Sequence, residues 1–129
     1  MKIKLADEYA KVLTFQDYGP QPPIGGVFVA PLTRHRAPEG SFMEHLRLTG
    51  GKVDGLPVDF EVRQVSVATA VPGRINAFHI HTKVVQDELW CVTAGTMLVW
   101  LVDLRDGSPT LGNRRRHVLS GEQPTLLHI

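Results

Sequence analysis

Apolar and polar residues alternate along most of the chain after residue 25, with a period of two rather than of three or four. Side chains two positions apart lie on the same face of a β-strand, so this pattern predicts strands with one face turned to a core. It is found in residues 26–32, 41–48, 60–68, 74–81, 88–93, 96–104, 116–119 and 126–129.

Turn signals separate these segments, and glycine is part of most of them. Pro72-Gly73 and Ala94-Gly95 are two examples, and both suit tight hairpin ends because glycine accepts a positive φ. Only residues 5–13 have a weak helical stripe. Short strands without helical spacers indicate an all-β antiparallel sandwich or barrel, which we expect in one domain over residues 25–129, preceded by an N-terminal arm over residues 1–24.

Composition removes several classes of function. The 129 residues are 43% hydrophobic and carry a net charge of +1, which gives no electrostatic reason to bind nucleic acid or an anionic membrane. No apolar stretch approaches the roughly 18 residues that span a bilayer, and the first residues do not resemble a signal peptide. The single cysteine, Cys91, suits a reducing compartment, so the sequence predicts a cytoplasmic protein.

Two histidines form the most distinctive chemical feature. His79 and His81 are two residues apart in an alternating segment, so they share a face with Ile75 and Ala77. Imidazoles on an apolar face need polar partners, and the usual ones are a metal, a carboxylate or a substrate proton. The next predicted strand begins with a carboxylate, Glu88, which is a candidate partner for the two imidazoles.

The spacing G-x5-H-x-H-x6-E-x6-G, from Gly73 to Gly95, resembles the first conserved motif of the cupins. The run D-L-R-D-G-S-P-T over residues 103–110 is similar to that of the dTDP-4-dehydrorhamnose 3,5-epimerase branch, and the resemblance covers about residues 39–129. It implies a cupin-type double-stranded β-helix (jelly roll) and a homodimer that exchanges N-terminal strands, with residues 27–32 as the candidate strand here.

The same resemblance implies roles for individual residues. His79 lies at the position of the base that removes a proton beside the sugar ketone, a task that suits a side chain titrating near neutrality. The implied contacts to a nucleotide-sugar substrate are Glu44, Gln64, Ser66 and Asn76, and the implied reaction needs no cofactor.

Departures from the family pattern leave two alternatives open. Asn76 replaces an arginine, Glu88 a lysine and His81 a glutamine. His79, His81 and Glu88 together are suitable ligands for a divalent transition metal, which is the first alternative. The second is a sugar-binding jelly roll without catalysis, so the sequence leaves open whether the protein is an enzyme. Relatives continue beyond the position of Ile129, and we therefore expect the barrel to be incomplete at its C-terminus.

Overall fold

The structure is a computed structural model, which describes residues 4–13 and 18–129. Within these residues it contains one short helix and nine strands. The elements are α1 (Asp7–Ala10), β1 (Phe28–Pro31), β2 (Arg34–Ala37), β3 (Gly40–Met43), β4 (Leu48–Thr49), β5 (Lys52–Val53), β6 (Leu89–Trp90), β7 (Thr96–Val102), β8 (Arg114–Ser120) and β9 (Thr125–His128).

The centre of the fold is an antiparallel sheet in which β9 lies between β1 and β6. Leu127 of β9 is opposite Val29 on one side and Trp90 on the other. Burial along β9 is continuous, because Leu126, Leu127 and His128 are all buried. A strand that is buried on both faces has this pattern, whereas a strand with one solvated face alternates.

A long ribbon of β7 and β8 packs against this sheet. Its register pairs Val99 with His117 and Met97 with Leu119 over seven residues of each strand. Val99 and Leu119 form the core together with Leu127, which has no exposed surface. Trp90 packs against the same cluster, so the core lies between the ribbon and the face of β6 that bears Trp90.

The loop between β7 and β8 is organised around Asp103, a buried carboxylate. Arg105 donates to both of its oxygens, from Nε at 2.9 Å and from Nη2 at 2.8 Å. The hydroxyls of Ser108 and Thr110 donate to Oδ2 at 2.7 and 2.6 Å. These hydrogen bonds, with that of Arg105 first, hold the pKa of Asp103 well below its usual range, so the carboxylate is ionised.

The same loop also binds the chain just before β1. Arg105 Nη2 donates to the Gly25 carbonyl at 2.7 Å, and the Gly25 amide donates to Thr110 Oγ1 at 3.0 Å. Further along, the Gln21 side chain bonds both the amide and the carbonyl of Arg116 at 2.7 and 3.2 Å. Residues 21–25 are therefore attached to β8 and its loop, while an arm bounded at residue 24 stays a prediction.

The predicted all-β, cupin-type jelly-roll class is confirmed, because strands account for almost all regular structure in the described residues. The helix at residues 5–13 is shorter than expected, with four residues in α1. Gly73 and Gly95 both have the expected positive φ, of 78° and 76°. In the described ranges no helix is both long enough and apolar enough to cross a membrane.

Two of the predicted strands are wrong. Residues 60–68 make one isolated bridge, between Glu61 and Lys52, and residues 74–81 form no strand. The physical reason is that residues 60–62 bond with residues 51–53 over this one bridge only, and residues 74–81 have no neighbouring strand among the described residues, so neither segment builds a ladder of hydrogen bonds. The strand that the family resemblance suggests for exchange between subunits, β1, pairs with β9 of its own chain at the edge of the sheet, and the exchange stays a prediction.

Candidate functional site

His79, His81 and Glu88 form one connected cluster. His79 Nε2 lies 2.8 Å from His81 Nε2, and the two rings meet nearly edge to face at an interplanar angle of 78°. His81 Nε2 is also 3.2 Å from Glu88 Oε1. The side chains of His81 and Glu88 are 34% and 30% exposed and His79 is an exposed residue, so the cluster is open to solvent and to a ligand.

Glu88 ties this cluster to the core. Its backbone amide and carbonyl both bond with Ile129 at 2.9 Å, which extends the β6–β9 pairing by one residue. Trp90 is two residues further along the strand, so it lies on the same face, and its Nε1 donates to Glu88 Oε2 at 2.5 Å. Because Trp90 packs on the core, Glu88 occupies a fixed position at the edge of that core.

The metal-ligand hypothesis can be tested on the arrangement of these donors. Within residues 4–13 and 18–129, no three His, Cys, Asp or Glu side chains are arranged to hold one metal ion. Glu88 Oε2 is engaged by Trp90, and His81 Nε2 faces both Glu88 and His79. The donors thus contact one another in a chain, and the fit to a divalent transition metal is poor.

Glu44 lies in a second place, apart from the histidines. Arg47 binds it through two parallel hydrogen bonds, Nε to Oε1 at 3.1 Å and Nη2 to Oε2 at 2.6 Å. The guanidinium holds the pKa of Glu44 below its usual range. Both side chains line a cavity of about 390 Å³ whose apolar wall includes Leu32, Val53 and Leu126.

The remaining predicted substrate contacts lie in the part of the chain without strands. Gln64 Nε2 donates to Ser66 Oγ at 2.9 Å, so these two residues pair with each other, and both are exposed. Asn76 is also exposed. In the described part of the chain no hydrogen bond links Glu44, Gln64, Ser66 or Asn76 to His79, so a common site for these residues stays a prediction.

Two partners of the predicted site residues were not assigned from the sequence. Trp90 holds Glu88, and the signal was present, since two residues of separation put both side chains on one strand face. Arg47 neutralises Glu44 from three residues away, a pairing that helical spacing would suggest but strand spacing would not. Burial raises the pKa of the Cys91 thiol, which disfavours the reactive thiolate form.

Comparison with known proteins identifies relatives of the chain. The family described as dTDP-4-dehydrorhamnose 3,5-epimerase matches residues 21–129. The spore coat polysaccharide biosynthesis protein SpsL of Bacillus subtilis (strain 168) is 35% identical over 106 residues, which are 82% of this chain. The chain spans 65% of the length of that relative. No solved structure matches the chain significantly.

Proposed function

The chain belongs to the dTDP-4-dehydrorhamnose 3,5-epimerase family, and we propose that it epimerises a nucleotide-linked 4-keto sugar with His79 as the base. The observation that carries the proposal is the family match over residues 21–129. The family description supports a dTDP-linked 4-keto sugar as the substrate class, and the sequence resemblance around residue 79 supports His79 as the residue that takes the proton.

The chemistry needs a base beside an acidified carbon. The carbonyl at C4 acidifies the hydrogens on C3 and C5, so a base can break the C–H bond and leave its electron pair in an enolate. His79 accepts that proton. Delivery of a proton to the opposite face of the same carbon re-forms the ketone and inverts the centre. The overall reaction is an isomerisation, and it consumes no oxidant, reductant or metal.

The surroundings of His79 support a role in proton transfer. His81 is its immediate polar partner at 2.8 Å, and Glu88 lies behind His81 at 3.2 Å. Open access on one side leaves room for a sugar ring beside the imidazole. The cavity beside Glu44 and Arg47 is a second polar surface, and we propose Glu44, Gln64, Ser66 and Asn76 as contacts to the nucleotide or to the sugar.

The direct test is exchange of carbon-bound hydrogen with solvent. The protein is incubated with dTDP-4-dehydrorhamnose in D₂O, and deuterium at C3 and C5 is measured by NMR. We expect incorporation at one or both carbons with the natural protein. His79→Ala should lower its rate by about 10²-fold or more, the typical contribution of a positioned general base.

The matched control is His35→Ala. His35 is an exposed histidine on β2 that stacks on Phe42, with ring centroids 6.5 Å apart, and it lies outside the cluster. Exchange should continue at the natural rate in this variant. Unchanged exchange in His79→Ala would exclude His79 as the base, and no exchange in the natural protein would contradict the epimerase activity itself.

We further propose that the working protein is a homodimer that acts in the cytoplasm. Support for the dimer comes from apolar side chains of the strands that the described structure leaves uncovered, among them Phe42, Leu98 and Trp100. Light scattering coupled to size exclusion should give a mass of twice the 14.3 kDa chain. A monomer at micromolar concentration would contradict the dimer.

A further inference from the structure

The contacts that run from Glu88 through His81 to His79 bear on which ring nitrogens carry hydrogen. An ionised carboxylate only accepts hydrogen bonds, so the 3.2 Å contact between Glu88 Oε1 and His81 Nε2 is attractive when that nitrogen carries hydrogen. His79 Nε2 lies 2.8 Å from the same nitrogen, so it accepts a hydrogen bond when His81 Nε2 carries the hydrogen. These contacts favour the tautomer of His81 with hydrogen on Nε2 and the tautomer of His79 with hydrogen on Nδ1.

The opposite arrangement is unfavourable. If His79 Nε2 carried the hydrogen and donated it, His81 Nε2 would have to present a lone pair. That lone pair would face Glu88 Oε1, and two acceptors 3.2 Å apart repel each other. Glu88 thus selects which nitrogen of His79 is free to act as a base, although it does not contact His79.

We infer that Glu88, acting through His81, is the positioning residue that makes Nε2 the basic nitrogen of His79. This inference rests on the proposed function, because the base it positions is the proposed base. When His81 turns its N–H toward Glu88, the lone pair of His79 Nε2 is released toward the substrate carbon. Glu88 supplies the alternative acceptor that this step needs.

The anchoring of Glu88 suits such a role. Trp90 Nε1 occupies one carboxylate oxygen, and two backbone bonds to Ile129 hold the strand beneath it. The other oxygen is left to face His81. A carboxylate held in this way limits the orientation of the imidazole that it contacts, as second partners of catalytic histidines commonly do.

The sequence supports the same conclusion. His81 and Glu88 occupy positions where the family pattern has glutamine and lysine, and these two replacements contact each other in the structure. A lysine at position 88 would put a donor beside the His81 N–H. The two departures therefore form one arrangement, in which an acidic residue and a second imidazole replace an amide and an ammonium group.

The first experiment reads the tautomers directly and needs no substrate. In ¹⁵N-histidine-labelled protein, two-dimensional ¹⁵N–¹H spectra distinguish Nε2–H from Nδ1–H rings. We expect His81 as the Nε2–H tautomer and His79 as the Nδ1–H tautomer in the natural protein. In Glu88→Gln the amide can donate to His81, and the His79 ring should change tautomer. A natural protein with His81 as the Nδ1–H form would overturn the inference.

The second experiment measures the consequence for exchange. Glu88→Gln should lower kcat for deuterium exchange by about 10²-fold with little change in KM, within the range for a general base that is wrongly presented. Glu88→Asp should restore part of the rate. A purely structural role would instead change stability and KM, and unchanged kcat with unchanged tautomers in Glu88→Gln would also overturn the inference.

The control variant is Asp87→Asn, which removes a neighbouring carboxylate that makes no hydrogen bond to either histidine. Its tautomers and kcat should match those of the natural protein. Failure of the proposed function would appear as no exchange in the natural protein while the tautomer result stands. Failure of the inference would appear as unaltered tautomers while exchange by the natural protein continues.

Discussion

Two regions of this molecule have the same alternating sequence pattern and reach different structures. The strand core, made of β1, β6, β7, β8 and β9, buries Leu127 completely. The open segment, residues 63–87, forms no strand and leaves Val67 92% and Ile75 88% exposed. Inside the open segment one backbone hydrogen bond is present among described residues, from the Arg74 amide to the Val71 carbonyl.

The comparison separates what a strand needs locally from what it needs from its neighbours. Alternation places apolar side chains on one face, but backbone N–H and C=O groups are satisfied only by an adjacent strand. In the strand core β9 has a partner on each side, and β7 has β8 along its full length. The open segment has no such neighbour, so its apolar residues stay in water.

Hydrogen exchange offers the largest contrast between the two regions. Amides paired between β7 and β8 exchange only through opening of the core, whereas in the open segment Arg74 alone among the described residues has a backbone hydrogen bond within the segment to lose. For a domain of ordinary stability, we expect rates that differ by about 10³-fold or more, measured by NMR or mass spectrometry. Equal protection in residues 63–87 would show that another chain or segment pairs with them in solution.

A pair of truncations tests the same contrast energetically. Leu127→Ala should lower the free energy of unfolding by about 2–5 kcal/mol, because it opens a cavity in the core. Val67→Ala, at a largely exposed site, should change it by about 0.5 kcal/mol or less. Urea denaturation of both variants gives the two values. A large loss for Val67→Ala would mean that Val67 is buried in the assembled protein, and the comparison would then fail.

The contrast also explains which parts of the fold the sequence predicted well. The predicted strands at β1, β7, β8 and β9 are present in the structure because each segment has the alternating pattern and also a partner strand within the chain. The alternating pattern at residues 60–68 and 74–81 is just as clear. A strand also needs an adjacent strand, however, and the sequence of a segment does not show whether one will lie beside it. The period of apolar residues indicates which side chains would share a face of a strand, whereas strand pairing depends on the rest of the fold.

The candidate site was predictable to a similar extent. A two-residue spacing was enough to place His79 and His81 together, and Glu88 is the carboxylate that contacts His81. The order of the contacts was not predictable, because it depends on side-chain rotations and on the Trp90 bond. The same three side chains can either bind a metal or contact one another directly, so the sequence alone could not choose between these two arrangements.

Acidification should destabilise the strand core through Asp103, the buried carboxylate in the loop that joins β7 to β8. Its folded-state pKa is lowered by Arg105 and two hydroxyls, so its stabilising contribution is complete above its unfolded pKa of about 3.9. That contribution is lost as pH falls through the lower folded-state value. Urea midpoints between pH 5 and pH 2 should fall steeply for the natural protein and less steeply for Asp103→Asn, which is less stable throughout.

Asp106→Asn is the control for that experiment, since Asp106 is an exposed carboxylate in the same loop that makes no hydrogen bond among the described residues. Its acid profile should match that of the natural protein. Identical slopes for the natural protein and Asp103→Asn would show that the carboxylate does not stabilise the loop, and that apolar packing alone distinguishes the strand core from the open segment.

The smallest expected effect concerns an unfavourably buried polar side chain within the strand core. His117 is buried on β8 opposite Val99, and its Nε2 has no hydrogen-bond partner among the residues that the structure describes. Burial, and secondarily Arg115, lowers the pKa of His117, so the fold favours its neutral form. Stability from this group is complete above the unfolded pKa of about 6.5 and is lost as pH falls through the lower folded-state value.

His117→Leu should therefore stabilise the protein by about 1 kcal/mol, because it removes an unpaired polar atom from an apolar site. The gain should be larger at pH 5 than at pH 8, since the leucine cannot be protonated. Val118→Leu, at the exposed neighbouring position, should show neither effect. Thermal melts at the two pH values measure both. A loss of stability in His117→Leu would show that Nε2 has a partner in solution, and that the strand core, like the open segment, is completed by groups outside the described structure.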